Sequence, residues 1–190
     1  MFNKNNKIKN NGETINRFKQ EILNLLAYYS SSLAILEKYD KNKLALPKAG
    51  KTKYKLTYEL ALEVIKNIKV ELIKKKQASD IFGRQSAHKL ESVLANLWQT
   101  FGGRELYKSF EEKAANLLYL IIKDHPFIDG NKRIASFLFI YFLDKNNFLY
   151  RETGEKKIND NALVALALLI AISDPKDKEI MIKIIVNLLK

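Results

Sequence analysis

Nine consecutive residues, from His125 to Arg133, combine the side-chain types that chemistry on a phosphate-bearing substrate requires. In chain order they are His125, Pro126, Phe127, Ile128, Asp129, Gly130, Asn131, Lys132 and Arg133. A histidine can act as a general base because its charge changes near neutral pH. A carboxylate can hold Mg²⁺ together with substrate phosphates, and a glycine lets the backbone approach a ligand closely. The amide and the two cations add donors for an anion, so the stretch predicts a phosphate-handling site.

Two helices are expected to position this stretch. Residues 109–123 have helical periodicity, and Ser109 with the glutamate three residues later has the spacing of a capping box. Pro126 ends that helix and should leave His125 in an extended conformation. A second helix is expected to begin near Asn131. The stretch is therefore a loop that leads into a helix N-terminus, where free N–H groups and the helix dipole favour an anion.

The stretch resembles the signature of the Fic/Doc family. The matching positions are His125, Phe127, Asp129, Gly130, Asn131 and Arg133. Lys132 matches the Doc-like branch, in which a lysine replaces the glycine of the nucleotide-transferring branch. Residues 99–107, 112–115 and 117–119 also resemble the lead-in of Doc-like and RhuM-like members. The strong similarity covers residues 90–150.

The resemblance implies an all-α, Fic-type helical bundle with a small β-hairpin flap. It implies a transferase that moves a phosphate-containing group from ATP, or another nucleotide, to a hydroxyl of a target protein. His125 would deprotonate that hydroxyl, Asp129 would hold Mg²⁺, and Arg133 would also neutralise developing charge. The nucleotide phosphates would be bound by Gly130, Asn131, Lys132 and Arg133, and the structural residues of the motif would be Pro126 and Phe127.

Two departures from the family pattern bear on the reaction. Lys132 would fill part of the phosphate site, which in Doc-like proteins accompanies transfer of the γ-phosphoryl group. The longer motif of the AMP-transferring branch ends in a second arginine, and Ser136 stands at that position. Both departures favour phosphoryl transfer narrowly, and AMP transfer stays the alternative.

Self-inhibition in the family uses a helix with Ser or Thr, three residues, then Glu and Gly or Asn. The chain lacks this pattern: Ser32 is followed at the fourth position by Leu36, and Glu37 comes one step late. The glutamate's partner, the second arginine, is also replaced by Ser136. A separate, antitoxin-like regulator is therefore an expected partner, and a role as a toxin is an analogy to Doc.

Composition favours a soluble cytoplasmic protein with one helical domain. The 190 residues include no cysteine, which excludes disulfides and thiolate metal sites. The polar N-terminus does not resemble a signal peptide, and no apolar run is long enough to span a membrane. The net charge of +12 comes mainly from lysines spread along helices, which does not indicate a dedicated nucleic-acid role. A nucleic-acid-binding helical module and a non-catalytic binding module remain the alternatives to an enzyme.

The pattern along the chain predicts a disordered or loosely packed arm at residues 1–14 and a single domain at 15–190. Helices are expected at 15–39, 54–76, part of 86–100, 109–123, 131–143, 160–172 and 178–189. The run at 134–142 is apolar nearly all round, so it should be the central buried helix. The target-binding flap is expected between Phe82 and Gly103, and a second small hairpin around Gly154. His88 is interpreted as a surface residue and Trp98 as a core residue.

Overall fold

The computed structural model describes the backbone of residues 4–48, 52–87 and 89–190, and side chains from Arg17 onward except Phe18 and Tyr29 within that range. The chain divides after Leu44 into two units, 1–44 and 45–190. The predicted boundary at Thr14 therefore does not coincide with a boundary between units. His88 lies outside the described residues.

The first unit contains one long helix, α1, at Lys4–Asp40. It begins upstream of the predicted start at Ile15 and includes most of the predicted N-terminal arm. The side chains of residues 1–16 are not described, so the loose packing of that arm stays a prediction.

The second unit is helical with one small sheet, which confirms the predicted all-α class with a small hairpin. Its elements are α2 (Tyr58–Lys74), α3 (Lys89–Leu97), β1 (Thr100–Phe101), β2 (Arg104–Glu105), α4 (Phe110–Asp124), α5 (Asn131–Lys145), α6 (Asp160–Ile172), a 3₁₀ turn (Pro175–Asp177) and α7 (Lys178–Leu188). None of the described helices combines the length and apolar content that crossing a membrane would need.

Side-chain caps fix where these helices begin. The Ser109 hydroxyl accepts from the Glu112 N–H at 3.1 Å, and the Glu112 carboxylate accepts from the Ser109 N–H at 3.0 Å, as the predicted capping box requires. Asn159 caps α6 by accepting from the N–H of Ala162 at 2.8 Å. Thr57 caps α2, so that helix begins at Tyr58 rather than at the predicted Tyr54.

The centre of the second unit is α4, not α5 as the apolar run predicted. Helix α4 packs against α3, α5, α6 and α7, and from Phe110 to Ile122 only Glu111 is not buried. In α5, Phe137 is 48% exposed and Ser136 and Ile140 are half-buried. A nearly all-apolar helix is fully buried only where neighbours surround it, and α5 has an open face.

Helix α7 packs on the core over a wide apolar face. The sequence pattern predicts Ile180, Ile184, Ile185 and Leu188 as its inward residues; Ile185 is fully buried and the other three are half-buried against the core. The pattern missed the buried residues Met181, Ile182, Val186 and Leu189. The segment is apolar on most sides, so its periodicity does not identify one face.

The hairpin formed by β1 and β2 is tied to the core by a buried lysine. Lys113 of α4 is 1% exposed and donates to a carboxylate oxygen of Glu105 and to the carbonyl oxygen of Tyr107, both at 2.8 Å. Its ammonium also lies 5.4 Å from the centre of the Trp98 ring, which packs against the core as predicted. The second predicted hairpin, around Gly154, is present as one antiparallel bridge between Tyr150 and Lys156.

Candidate active site

The loop between α4 and α5 and the first turn of α5 form a pocket of about 350 Å³. It is lined by His125, Ile128, Asp129, Gly130, Asn131, Lys132 and Arg133. Every residue predicted to act in catalysis, phosphate binding or metal binding therefore lies in one place. The two residues predicted to be structural, Pro126 and Phe127, are both buried.

His125 is in the left-handed region, with φ of 46° and ψ of 61°, at the C-cap of α4. The predicted extended conformation is therefore wrong. Pro126 disfavours only the right-handed helical region for the residue before it, and a left-handed residue is a common way to end a helix. Such a conformation is strained for a residue with a side chain, and strain of this kind is concentrated at functional sites. The exposed imidazole has no hydrogen-bond partner among the described residues, so it is open to a substrate.

Asn131 holds the backbone of the loop. Its side-chain oxygen accepts from the N–H of Phe127 at 2.9 Å, and its side-chain nitrogen donates to the carbonyl oxygen of Phe127 at 2.7 Å. The oxygen and the nitrogen of the Asn131 side chain are thus both hydrogen-bonded to the backbone of Phe127. Binding of phosphate by Asn131 stays a prediction, and the geometry supports a positioning role for its side chain.

We expect Asn131→Asp to destabilise the protein by about 1–3 kcal/mol, because a carboxylate would face the Phe127 carbonyl where an N–H now donates. Chemical denaturation of the two proteins would measure this difference. Asn147→Asp, on an exposed residue after α5, makes the same chemical change and should shift stability by less than about 0.5 kcal/mol. Equal losses in both variants would contradict the assigned role of the Asn131 amide.

Arg133 is held by three groups. Its guanidinium donates to the carbonyl oxygen of Gln77 at 2.7 Å and to a carboxylate oxygen of Asp129 at 3.3 Å. It also lies 4.6 Å from the centre of the Phe82 ring, within range of a cation–π contact. Arg133 and Asp129 are 46% and 38% exposed, so solvent screens their attraction and the pair orients the groups more than it stabilises the fold.

Asp129 fits a magnesium ion only together with a nucleotide. The described residues contain no group of three or more His, Cys, Asp or Glu side chains that could hold a metal by themselves. Magnesium is commonly bound by one or two carboxylates plus substrate phosphates. The half-exposed carboxylate of Asp129, beside a pocket that can take an anion, matches that arrangement.

The loop is also paired with the segment at residues 82–86, which precedes α3 and forms isolated β-bridges to the loop. The N–H of Gly83 donates to Asp129 at 3.1 Å, and the N–H of Ile128 donates to Arg84 at 2.9 Å, both to carbonyl oxygens. The N–H of Ser86 donates to the Pro126 carbonyl at 2.8 Å. Sequence reasoning placed the start of the flap here but missed this pairing with the loop.

Gly130 is the N-cap of α5, with φ of 89°. A Cβ atom built on it would lie 2.3 Å from Cε2 of Phe82, a fully buried ring. The bare side of this glycine is therefore filled by Phe82 rather than open to a ligand. Phe82, which sequence reasoning named only as the start of the range expected for the flap, therefore packs directly against the motif.

The first turn of α5 remains suited to an anion. Gly130 caps the helix without a side-chain hydrogen bond, so the first N–H groups of α5 are not satisfied by a capping side chain. Lys132 lies in this turn, is exposed, and has no hydrogen-bond or ion-pair partner within the described part of the chain. Free N–H groups, the positive end of the helix dipole and an unpaired ammonium together favour phosphate.

A second, apolar groove of about 470 Å³ lies on the other side of Lys132 and Arg133. Its lining includes Ser136, Phe137, Leu72, Leu163 and Leu168. Ser136 thus faces apolar side chains and adds no charge to the motif pocket.

Comparison with known proteins supports the resemblance seen in the motif. Residues 59–143 match the family model described as Fic/DOC family. The matched range runs from the first turn of α2 into α5 and contains the whole pocket. No curated protein and no solved structure is similar enough to the chain to count as a match. Residues 59–143 are therefore similar to a Fic/DOC domain.

Proposed function

We propose that the chain transfers the γ-phosphoryl group of ATP to a hydroxyl side chain of a target protein. The observation that carries the proposal is the meeting of His125, Asp129 and the first turn of α5 in one pocket. A base, a carboxylate and an anion-binding helix end are the parts that phosphoryl transfer from a nucleotide needs.

In this reaction the imidazole of His125 takes the proton of the target hydroxyl. The hydroxyl oxygen bonds to the γ-phosphorus, the bond from that phosphorus to the β–γ bridging oxygen breaks, and ADP leaves. The N–H groups of α5, Lys132 and Arg133 hold the phosphates and stabilise their negative charge. Magnesium, held by Asp129 and the nucleotide, would supply further neutralisation of that charge.

The position of Lys132 supports phosphoryl transfer over AMP transfer. Lys132 lines the pocket at a position where the nucleotide-transferring branch of the family has a glycine, and a lysine there would narrow the space for the phosphates. Ser136 provides no second cation. AMP transfer is the second candidate, because it uses the same base and the same helix end.

The proposal includes a separate regulator and a cytoplasmic setting. The chain lacks the inhibitory Ser/Thr-x₃-Glu pattern and its arginine partner, so control by an antitoxin-like protein would suit a toxin of the Doc kind. ATP and Mg²⁺ are both abundant in the cytoplasm. Activity of the purified chain that is harmless in cells would count against such a regulator.

The test uses ATP labelled separately at its α and γ phosphates, with Mg²⁺ and a bacterial lysate as the source of targets. Label on a protein band from the γ position alone, absent with His125→Ala, would support phosphoryl transfer. His125-dependent label from the α position would support AMP transfer and overturn the assignment to Lys132. Absence of label, with nucleic-acid binding that falls steeply as salt rises, would favour the nucleic-acid-binding alternative.

We expect Lys132→Gly to lower γ-label transfer at least tenfold, because it removes a cation from the anion-binding turn. If Lys132 sets the nucleotide pose, α-label transfer should appear in the same variant. Lys132→Ala is the matched control, since it removes the ammonium but keeps a Cβ and good helix propensity. Unchanged γ-label transfer in both variants would show that Lys132 does not act on the phosphates.

A further inference from the structure

Helix α1 carries an apolar seam that nothing in the proposed reaction uses. The seam consists of Ile22, Leu26, Leu33 and Leu36, with Tyr29 at the intervening position of the sequence. The four described side chains of the α1 seam are 40–59% exposed. These are apolar side chains left largely in water.

The spacing of the seam is a heptad repeat. The five residues are separated by four, three, four and three positions, which are the steps between d and a positions of a coiled coil. Upstream in the sequence, Ile8 and Ile15 continue the d series, and Gly12 and Lys19 stand at the a positions. A repeat of 3.5 residues keeps a seam facing another helix that supercoils with it, rather than a globular surface.

The outer face of α1 carries polar side chains at positions 17, 20, 21 and 24. Arg17 and Glu21 form an ion pair at 3.6 Å, and Gln20 donates to Asn24 at 3.0 Å. Asn24 and Ser31 occupy outer f positions of the heptad and are exposed. These polar groups pair within α1, whereas the four described side chains of the α1 seam stay 40–59% exposed.

The length and width of the apolar face suit association between copies of the chain. A helix of 37 residues is about 55 Å long at 1.5 Å per residue. Leu23 and Leu25 flank the seam and are 57% and 60% exposed, so association would remove several hundred Å² of apolar surface per copy. A stable interface buries about 800 Å² per partner. The surface of the α1 seam and its flanking leucines would contribute a large part of that area.

We propose that the chain self-associates through the α1 seam, with α1 helices of several copies supercoiled around one another. Leucine at a (Leu26, Leu33) with isoleucine at three of the five d positions (Ile8, Ile15, Ile22) favours more than two strands. The broad apolar face of α1 also favours more than two strands, because each helix of a larger bundle contacts two neighbours. A second copy of the same helix is self-complementary to the seam under rotational symmetry.

The test is the mass of the full chain in solution, by light scattering and sedimentation over a range of concentrations. We expect the native chain to have three or four times the monomer mass of 22.0 kDa. The double variant Leu26→Lys, Leu33→Lys should return it to 22.0 kDa, because charges would be buried in the seam. Asn24→Lys, Ser31→Lys adds the same charges seven residues apart on the outer face and should leave the assembly intact.

A monomeric native chain at all concentrations would overturn the proposal and leave the seam to a different partner. An assembly that survives the seam variant would also overturn it. The measurement needs no activity, so its outcome is independent of the proposed transferase.

Discussion

Replacing His125 by alanine is expected to lower transfer of label from ATP by about 10²–10⁴-fold, the range for loss of a general base. The protein should stay folded, because the imidazole is exposed and has no hydrogen-bond partner among the described residues. Alanine would meet the same backbone strain at φ of 46°, so stability should change by less than about 0.5 kcal/mol. Thermal unfolding and the label assay on the same preparation would measure both effects.

Asp124→Ala is the matched control for His125→Ala. Asp124 is the exposed last residue of α4, next to His125 but outside the motif. A carboxylate at the C-terminus of a helix is repelled by the negative end of the helix dipole, so its removal should not destabilise α4. Activity and folding should therefore be retained. Equal loss of activity in both variants would mean that the assay reports disturbance of the helix end and not the loss of a base.

Replacing Gly130 by alanine is expected to destabilise the protein by about 3 kcal/mol. Roughly 1–2 kcal/mol comes from a side chain at positive φ, and a further 1–3 kcal/mol from overpacking, since the new Cβ would lie 2.3 Å from the Phe82 ring. Transfer activity should fall as well, because relief of the clash would move the segment that pairs with the loop. Chemical denaturation would give the change in the free energy of unfolding.

Gly154→Ala separates the two causes. Gly154 has φ of 84°, close to that of Gly130, but a Cβ there would meet nothing within 4 Å. The Gly154→Ala variant should lose about 1–2 kcal/mol of stability, from the backbone conformation alone.

The variant Phe82→Val removes the ring that crowds position 130. The double variant Phe82→Val, Gly130→Ala should therefore lose less stability than the sum of the two single variants. Additive losses would show that the ring does not crowd position 130.

The helix caps and the flap show how far local sequence spacing allows prediction. The capping box at Ser109 and the cap at Asn159 were predictable because each joins groups three residues apart on one helix. The place of the flap stays a prediction: both the 82–86 segment and the β1–β2 hairpin fall within or next to the range expected for it.

The motif, its chemical residue types, the all-α class and the helix that follows the loop were all predictable from the amino-acid sequence. These are local properties: side-chain identity, helical period and the effect of a proline or glycine on its neighbours. The amino-acid sequence also carries the family resemblance, which the match at residues 59–143 supports.

The contacts that hold the site in place come from packing between distant segments of the chain. Gln77 contacts Arg133 across 56 positions of the chain, and Phe82 fills the side of Gly130 that the sequence left open for a ligand. The left-handed His125 and the central place of α4 likewise depend on packing between elements. Contacts between distant segments leave no periodic trace in either segment, because each residue's partner is fixed by the shape that the whole core adopts.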